Sequence, residues 1–347
     1  MGIFILKRLG VMILTALVLT FVVFLLTNLY PNLEKLAKSE GTQRMTDAQV
    51  QSWLEDRGYL QPSIIRYGEW LGVLASYRGT DSSGNPVGRC IKGGLSGDEA
   101  PRYCGLLQGD FGTSTVFNEP VGKIISIRLA ATGWLMFYAF LVMVPMALLI
   151  GVLAGMREGT KVDRTLSTFA IATTSTPEYV SGVLFIVFLA SSAGVKWFKG
   201  TSASALDEIT FANFTLPVLT VALYGMGYIA RMTRASMAEV MTQQYIRTAR
   251  LKGVAFRAIV LRHALRNALI APFTVIMLQF PWLLTGVVIV ETLFNYKGFG
   301  WALVQAAGNN DIELLLSISI VAVIVVLLTQ LISDIGYVFL NPRIRVG

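Results

Sequence analysis

Apolar runs without a charged residue recur along this chain, and they constrain its fold more than any other feature. One run covers residues 9–27 and another covers residues 130–156. A helix needs about 20 apolar residues to cross the hydrocarbon core of a bilayer, which is about 30 Å thick. Of the 347 residues, 54% are hydrophobic and 14% are charged, unlike an ordinary soluble protein. The sequence therefore predicts an all-α integral membrane protein.

Six membrane-spanning helices are predicted from these runs. They cover residues 9–27, 130–156, 165–195, 211–230, 267–290 and 314–333. The first run follows Lys7 and Arg8 and resembles a signal peptide, but no small-residue cleavage pattern follows it, so we interpret it as a span. Pro145 is expected to kink the second span, and Pro177 interrupts the third.

Basic residues are concentrated in the short segments on one side of these spans. The short segments on the other side hold only Lys196, Lys199 and Lys297. Because Lys and Arg prefer cytoplasmic loops, both termini are predicted to be cytoplasmic. The same bias explains the net charge of +8. No nucleic-acid-binding motif accompanies that charge, so nucleic acid is not an expected partner.

A hydrophilic insertion occupies residues 31–128, and the predicted topology makes it extracytoplasmic. Thr46 and Gln49 form a capping-box pattern that predicts a helix running towards Arg57. A second helix is predicted over residues 63–77, with an apolar face of Ile64, Ile65, Trp70, Leu71 and Leu74. The insertion is longer than a connection requires. This favours a cap over the outer mouth or a receptor-docking surface over simple packing.

Both cysteines of the chain, Cys90 and Cys104, lie in residues 78–109, which are rich in Gly, Ser, Asp and Pro and read as a loop or small lobe. An extracytoplasmic location favours a disulfide between them, with two free thiols as the alternative. The chain has one histidine, His263, so no metal site is expected.

The segment 243–267 stands out because it has six basic residues and no acidic one. It is longer and more helical in pattern than an ordinary connection. Gly253 can end a short helix in the left-handed conformation, and Val254, Ala255 and Phe256 follow as an apolar cluster. An apolar knob rimmed by arginines suits a groove on a cytoplasmic partner. The alternative is an amphipathic helix lying on anionic lipid.

Four residues of the spans are candidates for lining a transport pathway. Glu178 is the one charged residue inside a predicted span, and a charge at that depth faces protein or water. It either lines a pathway, with Tyr179 beside it, or is satisfied by a neighbouring helix or partner subunit. Gln279 and Trp282 are the other candidates, with helix packing as the alternative for Trp282.

Several short motifs occur in order along nearly the whole chain. They are Gly-Asp-Phe-Gly at 109–112, Pro-Val at 120–121, Arg-Leu at 128–129, Asp-Arg at 163–164, Pro177, Leu-Pro at 216–217, Ala-Arg-Met-Thr-Arg-Ala-Ser-Met at 230–237, Glu-Thr-Leu-Phe at 291–294, Gly-Phe-Gly at 298–300, Asp334, and Asn-Pro-Arg-Ile-Arg at 341–345. Together they resemble the inner-membrane permease subunits of binding-protein-dependent ABC importers, in the dipeptide, oligopeptide and nickel class.

In that family, the ATPase-docking element reads Glu-Ala-Ala, three residues, Gly, and later a hydrophobic residue before Leu-Pro. The residues at those places here are Arg247, Thr248 and Ala249, then Gly253, and then His263, Leu265 and Arg266. The initial Glu and the final Pro are absent, which is a variant of the peptide class. The candidate ATPase-docking residues are Arg247, Thr248, Ala249, Gly253 and His263 from this resemblance, with Val254 and Phe256 from the apolar cluster.

The resemblance implies a permease of the bacterial inner membrane that carries short peptides or peptide-like solutes. Its implied partners are a second homologous permease, two cytoplasmic ATPase subunits, an extracytoplasmic substrate-binding protein and membrane lipid. No Gly-x-x-x-x-Gly-Lys-Ser/Thr loop and no catalytic constellation occurs in the sequence. The chain is therefore expected to be no enzyme and to need no cofactor, with ATP and Mg²⁺ bound by the ATPase subunits.

The expected organisation has four parts. They are residues 1–30 with the first span, the insertion 31–128, a five-helix core 129–340 containing the coupling loop 231–266, and a cytoplasmic tail 341–347. In this scheme ATPase closure drives alternating access. The rival function is a proton-coupled secondary transporter in which Glu178 carries the proton.

Overall fold

The computed structural model describes residues 2–81, 83–91, 100–192 and 194–340, and these are mostly helical. The helices are α1 (Gly2–Thr27), α2 (Tyr30–Glu40), α3 (Asp47–Asp56), α4 (Ser63–Leu71), α5 (Val121–Gly155), α6 (Lys161–Ser175), α7 (Glu178–Ala190), α8 (Phe211–Met241), α9 (Gln244–Leu251), α10 (Phe256–Ala268), α11 (Ile270–Leu293), α12 (Phe299–Gly308) and α13 (Ile312–Leu340). The strands β1 (Gly79–Thr80) and β2 (Pro86–Val87) pair antiparallel, with Gly79 opposite Val87. The predicted tail 341–347 lies outside the described residues.

Among the described residues, four helices are long and apolar enough to cross a membrane. They are Leu6–Thr27, Val121–Gly155, Phe211–Met241 and Ile312–Gly336. Two further pairs pass the same test together but are bent, by 102° between α6 and α7 and by 52° between α10 and α11. This part of the chain thus has four candidate spans, or up to six if each bent pair is one span. An all-α membrane protein is what the apolar runs predict; six spans with both termini cytoplasmic stays a prediction.

The chain divides into two compact units, and the first comprises residues 6–128 and 302–324. Its core joins α1, α2, α3, α4 and the start of α13 through buried apolar and aromatic side chains. These are Phe24, Leu33, Leu36, Ala37, Val50, Trp53, Leu54, Tyr67, Trp70, Ile312, Leu316 and Ile320. Within it the Thr20 and Tyr67 hydroxyls are hydrogen-bonded at 2.6 Å. Side chains of the insertion thus share one core with the apolar helices α1 and α13.

The capping box at the start of α3 forms as predicted, since Thr46 and Gln49 each accept a hydrogen bond from the other's backbone N–H. For α4, the predicted C-terminal end of the helix and the predicted buried face are both wrong. The helix ends at Leu71 because Gly72 is left-handed, with φ +82°. Ile64 is 64% exposed, whereas Trp70 is buried at 3%.

Strand pairing, a disulfide and an ion pair hold the lobe that follows α4 in place. The β1–β2 hairpin leads to a disulfide between Cys90 and Cys104, whose Cα atoms are 5.6 Å apart. Next to it, the Arg89 guanidinium pairs with the Glu313 carboxylate of α13 at 2.6 Å. Residues 92–99 of the predicted lobe lie outside the described residues.

One buried carboxylate organises the start of α13. Asp311 is fully buried and accepts the Leu314 N–H at 3.1 Å, which satisfies a free donor of the first turn. It also accepts the Val116 N–H at 3.2 Å and the Ser114 hydroxyl. Asp311 therefore fixes the segment before α5 to the helix that begins two hundred residues later.

The second unit comprises residues 129–301 and 325–340 with the first residues of the chain, and α8 is its best-buried long helix. Glycines let the neighbours of α8 approach closely. A Cβ at Gly151 of α5 would lie 2.4 Å from Thr233 Cβ and 2.6 Å from the Ala230 carbonyl oxygen. A Cβ at Gly227 would lie 2.2 Å from Thr173 Oγ1 of α6. Both close approaches require glycine, because a Cβ atom in a protein essentially never lies this near to another heavy atom.

A second buried carboxylate caps α12. Glu291 is fully buried and accepts the Trp301 N–H at 2.9 Å and the Thr132 hydroxyl. Thr132 in turn accepts the Phe299 N–H at 2.8 Å. Two free donors of the first turn of α12 are thus satisfied from α11 and α5. This gives a structural reason for the Glu-Thr-Leu-Phe and Gly-Phe-Gly motifs.

Candidate functional site

The basic segment folds into two helices, α9 and α10, separated by a left-handed glycine. Gly253 has φ +75°, and its N–H donates to the Arg250 carbonyl at 3.0 Å. The Val254 N–H donates to the Ala249 carbonyl at 3.2 Å. These two bonds form the Schellman motif that ends a helix at glycine. The start of the predicted coupling loop, in contrast, is helical, because α8 continues past Ala230 to Met241.

The inner face of α9 and α10 is packed against the end of α8. The buried members of this cluster are Met237, Ile246, Ala249, Ile259, Val260, Ala264 and Ala268. Val254 packs against the cluster as well. Of the predicted docking residues, Ala249 and Val254 therefore hold the segment in place instead of projecting from it, because the Schellman turn directs them inward.

Three hydrogen bonds reinforce this packing. The Ser236 hydroxyl of α8 donates to the Ala268 carbonyl at 2.8 Å. The Asn267 side-chain amide donates to the Tyr245 hydroxyl at 3.0 Å and to the His263 carbonyl at 3.2 Å. The segment is thus a docked helical element whose position is set by α8.

The outer face of the segment is both apolar and basic, and we call it the docking face. Its apolar members are Leu251, Leu261 and Phe256, which are 82%, 66% and 44% exposed. Its basic members are all exposed: Arg247, Arg250, Lys252, Arg257, Arg262 and Arg266. Thr248 and His263 are exposed beside them. None of the six basic side chains forms an ion pair with a described residue.

Phe256 belongs to the predicted site, but the two most exposed leucines were missed. The available signal was helical spacing from the buried face. Leu251 follows Ile246 by five residues, which turns it about 140° away from that residue on a helix with 3.6 residues per turn.

A charged pair joins α6 to α8. Arg234 donates two hydrogen bonds to Asp163, from Nε to Oδ1 at 3.0 Å and from Nη2 to Oδ2 at 2.8 Å. Asp163 is 3% exposed and also accepts the Gly159 N–H at 2.9 Å and the Ser167 hydroxyl at 3.0 Å. Bidentate charge-assisted bonds of this kind fix geometry as well as contribute energy. Both residues belong to the sequence motifs, but their pairing was not predicted.

Glu178 lies at the sharp break between α6 and α7. Pro177 disfavours a helical conformation of the residue before it, and Thr176 is extended, with φ −94° and ψ 120°. Glu178 is the first residue of α7, half-buried, and its carboxylate forms no ion pair with a described residue. Tyr179 is 52% exposed. The predicted pathway acid thus lies at a helix terminus.

Gln279 and Trp282 both lie on α11. Gln279 is 8% exposed, and the Trp282 ring stacks on Tyr224 of α8 with centroids 5.0 Å apart. The Trp282 contact is the packing interaction named as its alternative role. In the described part of the chain no hydrogen bond joins Glu178 to Gln279.

The chain is similar to one described protein family and to several bacterial permeases. Residues 147–346 match the family described as binding-protein-dependent transport system inner membrane component. A probable peptide ABC transporter permease of Sinorhizobium fredii is 30% identical over 99% of this chain and 100% of its own length. A glutathione transport system permease of Salmonella choleraesuis is 34% identical over 69% of this chain and 76% of its own. An oligopeptide transport system permease of Bacillus subtilis is 28% identical over 87% of each.

The family match covers more than half of the chain, and the Sinorhizobium fredii relative extends over the remainder. The permease resemblance and the inner-membrane location are confirmed by these matches. The chain belongs to the family of inner membrane components of binding-protein-dependent transport systems.

Proposed function

We propose that this chain is the permease subunit of an ATP-driven ABC importer for short peptides or peptide-like solutes. The docking face is the observation that carries the proposal. It combines three exposed apolar side chains with six exposed basic side chains that form no ion pair in the described structure. Such a surface suits a partner with an apolar groove and acidic rim. The substrate class follows the relatives, which are named for peptides, oligopeptides and glutathione.

The proposal places the docking face in the cytoplasm and the insertion outside. One ATPase subunit docks on this chain and a second on a homologous permease, and both bind their own ATP and Mg²⁺. An extracytoplasmic binding protein delivers substrate. This orientation is supported by the basic residues of α9 and α10 and by the disulfide in the insertion, since disulfides persist in oxidising compartments.

The coupling mechanism begins where the ATPase touches α9 and α10. Because these helices pack on the end of α8, closure of the ATPases displaces α8 with them. The Arg234–Asp163 pair then carries the displacement to α6, which ends at the 102° break before Glu178. Repositioning these helices switches the pathway between inward and outward access. At the break, the Glu178 carboxylate attracts the ammonium group of a passing peptide.

A proton-coupled secondary transporter is the second candidate function. The lack of an ion-pair partner for Glu178 among the described residues favours it, because an unpaired acid in a span can carry a proton. It requires no ATPase and leaves the docking face without a role.

Reconstitution distinguishes the two functions. The chain purified with its native partners should contain ATPase subunits, and proteoliposomes with the binding protein should take up labelled dialanine in an ATP-dependent, vanadate-sensitive manner. Uptake by this chain alone, driven by a pH gradient and lost in Glu178→Gln, would overturn the importer proposal.

Gly253 provides a second test at the docking face. A Cβ there meets no atom within 4 Å, but the left-handed backbone disfavours any side chain. Gly253→Ala should carry only this backbone strain and retain most ATP-driven uptake. Gly253→Arg adds a long side chain between the two docking helices and should uncouple uptake while the chain still enters the membrane. Equal uptake by both variants would count against docking at this position.

A further inference from the structure

The first unit contains a partly open cavity of about 380 Å³, formed by residues of that unit alone. Its walls come from α1, α2, α3, α4, the β1–β2 hairpin and the start of α13. The volume lies in the range of small-molecule sites, about 300–1,000 Å³. Nothing in the transport proposal uses this cavity.

The cavity is lined by charges of both signs. Three carboxylates and three guanidinium groups border it: Glu40, Glu69, Glu313, Arg57, Arg66 and Arg89. The Tyr59 hydroxyl lies among them and interacts electrostatically with acids and arginines alike. The formal charge of this wall is zero, so neither a simple cation nor a simple anion is favoured.

Several of these polar groups lack partners. The Glu40 carboxylate, which is exposed, and the partly exposed Tyr59 hydroxyl form no hydrogen bond to a described residue. The partly exposed Arg57 guanidinium stacks over the Trp53 ring at 4.1 Å but donates to no described acceptor. In the pair of Arg89 with Glu313, Arg89 Nε and Glu313 Oε2 are buried without a partner. Buried polar groups are nearly always satisfied, so these two atoms call for a polar occupant beside them.

The charges around Glu40 and Arg57 support the same conclusion. Although Glu40 is exposed, partial loss of solvation raises the pKa of its carboxyl group, and the positive charge of Arg57 lowers it. A ligand with an ammonium group would stabilise the Glu40 carboxylate, and a ligand carboxylate would satisfy Arg57.

We propose that this cavity is a binding site for a small zwitterion, an amino acid or a dipeptide, with its ammonium at Glu40 and its carboxylate at Arg57. The site is distinct from the pathway candidates and does not depend on ATP-driven transport. Aromatic side chains of the wall, among them Tyr59 and Trp70, border the space left for the uncharged part of the ligand.

The test is equilibrium binding of labelled dialanine to the full-length chain in lipid nanodiscs. Saturable binding of one dialanine per chain is expected. N-acetyl-dialanine, which lacks the ammonium, and dialanine amide, which lacks the carboxylate, should each bind at least tenfold more weakly. Dialanine that does not bind saturably up to millimolar concentration, or analogues that bind as tightly, would overturn the proposal.

Variants assign the two ends of the ligand. Glu40→Gln should weaken dialanine at least tenfold but leave N-acetyl-dialanine unchanged, because that analogue lacks the group that Glu40 binds. Arg57→Gln should behave in the same way towards dialanine amide. Glu55→Gln, an exposed change on α3 outside the cavity, is the matched control.

Two controls separate this site from folding and from the transport pathway. Formation of the Cys90–Cys104 disulfide in each variant reports a folded unit, so that weaker binding then supports the proposal. Glu178→Gln should leave dialanine binding unchanged. Binding that is lost in Glu178→Gln but retained in both Glu40→Gln and Arg57→Gln would place the ligand in the pathway and refute this site.

Discussion

Leu251 offers the sharpest test of the docking face. Its side chain is 82% exposed in the isolated chain, at the end of α9. Leu251→Ala removes apolar carbons worth about 2.4 kcal/mol on full burial, at about 0.8 kcal/mol per methylene group. Scaled by the exposed fraction that a partner can cover, the loss is about 2 kcal/mol, or roughly 30-fold in the dissociation constant. Alanine and leucine both favour helices, so the fold is expected to be unaffected.

The assay measures binding of purified ATPase subunits to the full-length chain in lipid nanodiscs, with thermal unfolding recorded in parallel. Leu107→Ala is the matched control, because Leu107 is 70% exposed but lies in the first unit. Leu251→Ala should weaken ATPase binding roughly 30-fold without shifting the unfolding midpoint. The control should change neither quantity.

Thiol labelling tests the role of position 251 by a second method. The native cysteines form a disulfide, so in Leu251→Cys only the new thiol should react with a water-soluble maleimide. Added ATPase should slow that reaction. A less than threefold change in ATPase affinity, or the same loss in Leu107→Ala, would refute the argument. Protection by anionic lipid but not by ATPase would instead identify a lipid-bound helix.

Three further outcomes follow from the packing and the charges. Gly151→Ala should lower the unfolding midpoint, because overpacking of this kind costs about 1–3 kcal/mol, whereas Gly133→Ala on the same helix has open space and should not. The pKa of Glu40 is raised in the folded state, so above the ordinary carboxyl pKa the folded state binds more protons than the unfolded state. The stability of the fold therefore falls as pH rises through the folded pKa. Glu40→Gln removes the ionisable group and should raise the thermal unfolding midpoint at pH 7 but not at pH 4. Alkylation followed by mass measurement should label neither Cys90 nor Cys104 before reduction and both after it, and reduction should cost the first unit about 3 kcal/mol for a loop of this length.

Local signals in the sequence predicted the parts of this fold that depend on neighbouring residues. The Thr46 cap of α3 and the left-handed Gly253 are set by chemistry within one helical turn, and both are found in the structure. Helix α2 was not predicted, because Pro31 was interpreted only as the start of the hydrophilic insertion. Proline is also favoured in the first turn of a helix, and that is where Pro31 lies.

Contacts between distant parts of the chain could not be predicted in the same way. Asp311 caps its own helix, a local event, but the segment it also holds includes Ser114, nearly two hundred residues earlier. The same holds for Glu291, whose partner Thr132 lies on another helix. Composition predicted which segment carries the docking face. Which of its side chains are exposed depends on the side of α9 that packs on α8. That packing places Val254 against the buried cluster and leaves Leu251 exposed.

Helix α8 is continuous from Phe211 to Met241, 31 residues and therefore about 46 Å long. An unbroken rod of this length acts as a lever arm. A tilt of about 5° displaces its far end by about 4 Å, which is comparable to one helical turn. A partner bound to α9 and α10, as proposed, would therefore need only a small rotation to move side chains at the opposite end of α8 by more than a hydrogen-bond length.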